Sequence, residues 1–129
     1  MIKSKILQLA TLACFSFSAA QVFAGTITAT SQQGLAVTMT FETDTITSDT
    51  TTAVFCLADA SRPAVAVQSA KLWMPEHGHG SSPTTLVASG THCTNISGIN
   101  FVMNGKWEIR IKLAGGDAVA FPVDVESTP

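Results

Sequence analysis

Alternating apolar and polar residues run through most of the chain beyond residue 25. Leu35, Val37, Met39 and Phe41 share one face, while Thr38, Thr40 and Glu42 take the other. That period of two predicts a strand with one buried and one wet face. Residues 43–52 are polar and threonine-rich and read as a loop with frayed strand ends; Ala53, Phe55 and Leu57 then restart the pattern. Ser61-Arg62-Pro63 reads as a turn before a strand from Val65 to Met74. The apolar set of that strand steps from Val65 and Val67 to Ala70, Leu72 and Met74, a slip of phase that predicts a β-bulge. Trp107, Ile109, Ile111 and Leu113 alternate strictly with Lys106, Glu108, Arg110 and Lys112. Gly115-Gly116-Asp117 turns the chain into a last strand bearing Val119, Phe121, Val123 and Val125. Pro122 within it donates no ladder hydrogen bond, which predicts an edge or an outward-facing nitrogen.

Asn104-Gly105 has the composition of a two-residue hairpin turn. That turn would put Phe101 on the charged face, opposite Glu108. A three-residue loop, Met103-Asn104-Gly105, instead pairs Phe101 with Trp107 and Ile99 with Ile109, so all four face the core. It also places Gly105 where a left-handed backbone is wanted, and it is the expected arrangement. About seven short strands without a long helical pattern predict an all-β fold, an Ig-like two-sheet antiparallel sandwich. Two antibody-domain features are missing: the chain has no tyrosine for a tyrosine corner, and its cysteines are too close in sequence for the usual inter-sheet bridge.

The first residues are of another kind. Lys3 and Lys5 precede an apolar run from Ile6 to Cys14 that continues through Phe15, Phe17, Ala19 and Ala20. Val22-Phe23-Ala24 then offers small residues three and one before a cut. A basic start, a short apolar middle and a small-x-small end predict a cleavable signal peptide over residues 1–24. The core is too short and too rich in Ser, Thr and Gln for a membrane span of ~20 residues. Thr11-Leu12-Ala13-Cys14 is a poor lipoprotein box, so lipidation at Cys14 is not expected. The expected product is a periplasmic or secreted domain of residues 25–129, with no apolar stretch long enough to cross a membrane.

Loss of Lys3 and Lys5 leaves five basic residues against nine acids, a formal net of −4. A mildly acidic domain with scattered cations is a poor partner for nucleic acid. Cys56 and Cys93 remain, and an even count behind an export signal predicts a disulfide. Closing the loop between residues 37 apart would restrain the unfolded chain by roughly 4 kcal/mol. The rival reading, two thiolate metal ligands, lacks any C-x-x-C pair.

Candidate chemistry concentrates in Trp73-Met74-Pro75-Glu76-His77-Gly78-His79-Gly80, which holds two of the three histidines. In an extended strand, residues two apart share a face, and Gly78 lets the backbone bend so that both rings converge. Met74 adds a thioether. Sulfur with imidazole suits Cu(I), whereas imidazoles alone suit Cu(II) or Zn(II). Glu76 is a candidate hard ligand or an orienting partner for a ring. Met74, His77 and His79 are the first-choice metal ligands, with Met103 and His92 as second choices. The plainer alternative gives the glycines to a tight turn with positive φ, the histidines to backbone hydrogen bonds and Met74 to the core.

The run Met74-Pro75-Glu76-His77-Gly78-His79-Gly80, followed by Phe101-Val102-Met103-Asn104-Gly105-Lys106-Trp107-Glu108-Ile109, resembles the YtkA-like domain. Those exported Ig-like sandwiches carry an MP-x-HGHG-type stretch and then an F-x-M-x-G-x-W strand. The resemblance spans most of residues 35–125 and implies the sandwich above all; the functions it implies are copper handling and membrane-oxidase assembly. The Cys56–Cys93 pair is not part of that pattern. Two function classes follow: a copper-binding or copper-delivering envelope protein, and a metal-free interaction module with an envelope protein as partner. An enzyme is not expected, because no nucleophile elbow, paired-carboxylate signature or phosphate-binding glycine loop accompanies the histidines.

Overall fold

A computed structural model describes Val22, Phe23 and residues 25–128. The expected leader up to residue 21, with Cys14, and the residue before the expected cut, Ala24, lie outside the described residues. The strands are β1 (Val22–Phe23), β2 (Thr26–Thr30), β3 (Ala36–Thr40), β4 (Ile46–Thr47), β5 (Ala53–Leu57), β6 (Val67–Met74), β7 (His79–Gly80), β8 (Thr85–Ser89), β9 (Cys93–Ser97), β10 (Gly105–Leu113) and β11 (Asp117–Glu126). They form two sheets, ordered β1-β2-β3-β5-β9-β8 and β4-β11-β10-β6-β7. Described residues include no helix, and so none long and apolar enough to cross a membrane. Among the described residues all pairings are antiparallel except β4 with β11, where the 41–52 segment leaves the first sheet to run briefly parallel along the second.

The core is where the alternation places it. Val37, Met39, Phe55, Leu57, Ile109 and Phe121 are buried between the sheets. Phe55 and Phe121 meet edge to face across it, with centroids 6.0 Å apart. This apolar layer is what holds the two sheets together. The predicted bulge is present: Lys112 pairs with Ser69 and Leu113 with Val67, so Gln68 is the extra residue on β6. Pro122 pairs with Glu108, while β4 runs beside β11 only at Val125 and Glu126. The proline therefore sits on an uncovered stretch of edge.

The expected hairpin through Asn104-Gly105 is not formed. Ile99, Phe101, Trp107 and Ile109 are all buried, but residues 98–104 form no strand. β10 already has β6 on one side and β11 on the other, so no ladder position is left. The segment instead crosses from β9 in the first sheet to β10 in the second, with Ile99 N–H donating to Thr51 O at 3.0 Å. Core-facing alternation is satisfied by packing without pairing, and Gly105 keeps a positive φ of 132°.

Cys56 and Cys93 form the expected disulfide, within one sheet. They are direct cross-strand partners on β5 and β9, with Cα atoms 4.1 Å apart. Leu57 N–H donates to His92 O at 2.9 Å. The adjacent cysteine pair is therefore a non-hydrogen-bonded position, where antiparallel strands come closest. Phe55 and Leu57 point inward, so the bridge lies on the outer face.

A polar clamp ties the ends of the two sheets. The Asp117 carboxylate accepts from Ser31 Oγ at 2.6 Å, Gln33 N–H at 2.9 Å and Ala118 N–H at 2.9 Å. Asp117 is 6% exposed. The Ser31 hydroxyl, more than burial opposes it, and then the two backbone donors hold its pKa below the usual carboxylate value of 3.8.

Candidate metal site

The Met-His segment folds as the turn of the β6–β7 hairpin. Met74 O accepts from His77 N at 3.2 Å and from Gly78 N at 2.8 Å. Pro75, with its fixed φ, is well suited to start such a turn. Gly78 ends it at φ 63°, a left-handed conformation that glycine adopts without penalty. Gly78 thus makes the tight turn that the plainer alternative expects of it, and the turn leaves the two imidazoles as neighbours. Their centroids lie 5.8 Å apart at 44°. Two rings sharing one ion at ~2.0 Å per nitrogen would have centroids about 5–6 Å apart.

His79 is fixed from two sides. Its ring meets the edge of Trp107 at 5.8 Å, and Trp107 in turn packs against Phe101 at 5.5 Å. The Trp107 indole N–H donates to Met103 O at 2.9 Å. His79 Nδ1 lies 3.0 Å from Gly80 O. A carbonyl only accepts, so Nδ1 carries the proton, and in the neutral ring Nε2 then presents a lone pair. An imidazole oriented through one nitrogen for work at the other is the usual arrangement of a metal ligand. His77 is exposed, and His79 is its ring neighbour. Glu76 is exposed, and the orienting bond expected of it is made to His79 by Gly80 O instead.

Met74 lies directly opposite His79 in the ladder, so the two side chains share a face with Cβ atoms about 5 Å apart. At 1% exposure Met74 is also core. A methyl group on Gly105 would come within 2.5 Å of Met74 Cε, so the glycine leaves room for the thioether. Met103 is 38% exposed and belongs to the same end of the sandwich through its carbonyl's bond to Trp107.

His92 is placed elsewhere. Its Nδ1 lies 2.8 Å from Thr91 Oγ1 and its Nε2 lies 2.7 Å from Arg62 O, so both nitrogens are engaged. It lines a cavity with Val65, Ala66 and Val67, at the start of β6, whereas the hairpin is at the end of that eight-residue strand. The strand alone spans roughly 23 Å between them. Sequence could not show this, because position along the chain does not tell which end of a sandwich a loop occupies. Sequence reading also missed Trp107 as a wall of the site: its strand phase marked it as core only.

Comparison with protein-family models, curated proteins and solved structures finds no match. Among the described residues no group of three or more His, Cys, Asp or Glu is arranged to hold a metal ion. The donors at the hairpin are two imidazoles and a thioether, a set that fits a soft ion of low coordination number better than a four-ligand structural zinc.

Proposed function

We propose that this is an exported envelope protein that binds or delivers copper at the β6–β7 end of the sandwich. His77 and His79 are the primary ligands, and Met74 is the sulfur donor beneath them. Met103 stands at the rim as a further thioether, and His92 takes no part. The observation that carries the reading is His79 itself: its Nδ1 is spent on Gly80 O, its ring is braced by Trp107, and His77 faces it at 5.8 Å. Bound copper would supply a labile site for handing the ion to a partner protein; the chain's own part is to hold the two rings and exclude water beneath them. The basic-apolar leader pattern supports an envelope location, and the YtkA-like motifs, which speak first to the fold, are compatible with copper handling there. No catalytic role is proposed.

A competition titration against a chromophoric Cu(I) chelator tests the assignment. One equivalent should be withdrawn by the wild-type domain, and none by His77→Ala/His79→Ala. Retention of the full equivalent by the double variant moves the site elsewhere.

A further inference from the structure

Strand β8 ends the first sheet with an open edge, and its chemistry favours one occupant. Between Glu76 and Lys106 the chain has no Asp, Glu, Lys or Arg, so β8, β9 and the loops around them present no fixed charge. Natural edge strands are commonly guarded by charge, proline, a bulge or shortness. β8 is five residues, Thr85-Leu86-Val87-Ala88-Ser89, with none of these guards. Of the other outermost strands, β1, β4 and β7 are two residues each; with the leader removed β2 becomes an edge in place of β1, but its outward residues are Thr26, Thr28 and Thr30, with no apolar side chain like Val87 of β8.

The direction of its free backbone groups follows from the ladder. Leu57 with His92 is a hydrogen-bonded pair, so Cys93 turns its backbone groups away from β5 and toward β8. Its partner there is Ser89. Ser89, Val87 and Thr85 are therefore bonded to β9, and the N–H and C=O groups of Leu86 and Ala88 point to the open edge. Val87, at the middle, faces outward and is 57% exposed, more than any other large apolar side chain among the described residues.

We propose that β8 pairs antiparallel with β8 of a second copy of this chain, with the two-fold axis at Val87. In that register Leu86 and Ala88 form hydrogen-bonded pairs with the second copy's alanine and leucine. Val87 meets its own copy at the close, non-hydrogen-bonded position. Thr85 meets serine on the outer face. Apolar thus opposes apolar and hydroxyl opposes hydroxyl, and the backbone groups are in phase. The contact is isologous, as a two-fold dimer requires. Two acidic domains meet at their charge-free side, so neither presents like charge to the other. A five-residue pairing buries much less than the ~800 Å² per partner of a standard interface, so the dimer is weak.

Sedimentation velocity on the mature domain from about 10 μM to 1 mM should show a concentration-dependent monomer–dimer equilibrium. Val87→Lys places like charges at the axis and should abolish the dimer; Val87→Glu should do the same. Because residue 87 is exposed, both variants should keep the wild-type circular dichroism and melting temperature. Mixing the two variants should restore association as a heterodimer, which happens only where residue 87 meets its own copy. A wild-type chain that stays monomeric overturns the proposal, even where a strand of another protein binds β8. So does a dimer that survives Val87→Lys, or a mixture that fails to associate.

Discussion

Gly105 illustrates how one residue serves both the core and the site. A side chain there would strain a backbone at φ 132° and press on Met74 Cε, whose burial gives it little room to move. Gly105→Ala should lower unfolding free energy by about 1–3 kcal/mol in urea titration. Asp117 makes a second test at this scale. Its folded pKa lies below 3.8, so its contribution to stability is present above the unfolded pKa and is lost as pH falls below 3.8 toward the folded value. Asp117→Asn should flatten the part of the acid limb that belongs to this clamp, measured as melting temperature against pH. An unchanged acid limb would mean that Ser31 and the two backbone donors do not hold the carboxylate.

The strands were legible where one face is wet. β10 and β11 announce themselves as strict alternation, and the slip at Gln68 was visible as a phase change because apolar positions on both sides of it face the same core. The 98–104 crossing carries a strand's pattern for the same reason: Ile99 and Phe101 alternate inward whether or not they pair. Alternation reports burial, not partners. At the hairpin, the sequence supplied the residues and the turn chemistry of Gly78, but not the brace from Trp107 or the distance of His92, which depend on sheet order. The disulfide was foreseen, but its placement between adjacent strands was not. Since the bridge lies outside the core, Cys56→Ala/Cys93→Ala should still fold, with stability reduced by up to roughly 4 kcal/mol through the loosened unfolded chain. Equilibrium unfolding of the variant against the oxidised wild type measures this.

Across the whole molecule, charge is sorted by sheet. The outer face of the second sheet carries Lys71, Lys106, Glu108, Arg110 and Asp124, with Arg110 lying 5.0 Å over the Trp73 ring. The strands of the first sheet hold no charged residue. The His77–His79 hairpin lies at one end of the charged sheet, and the open β8 edge closes the neutral one. A domain so divided can pair through one sheet while its hairpin stays open to an ion or a partner. An ion that binds the native hairpin and not the unfolded chain raises thermal stability. The copper site is tested by the melting temperature of residues 25–129 with one equivalent of Cu(I), under reductant mild enough to spare the disulfide. The expected result is an upward shift in the wild type that disappears in His77→Ala/His79→Ala. No shift in the wild type, or an equal shift in the double variant, would mean that His77 and His79 hold no copper.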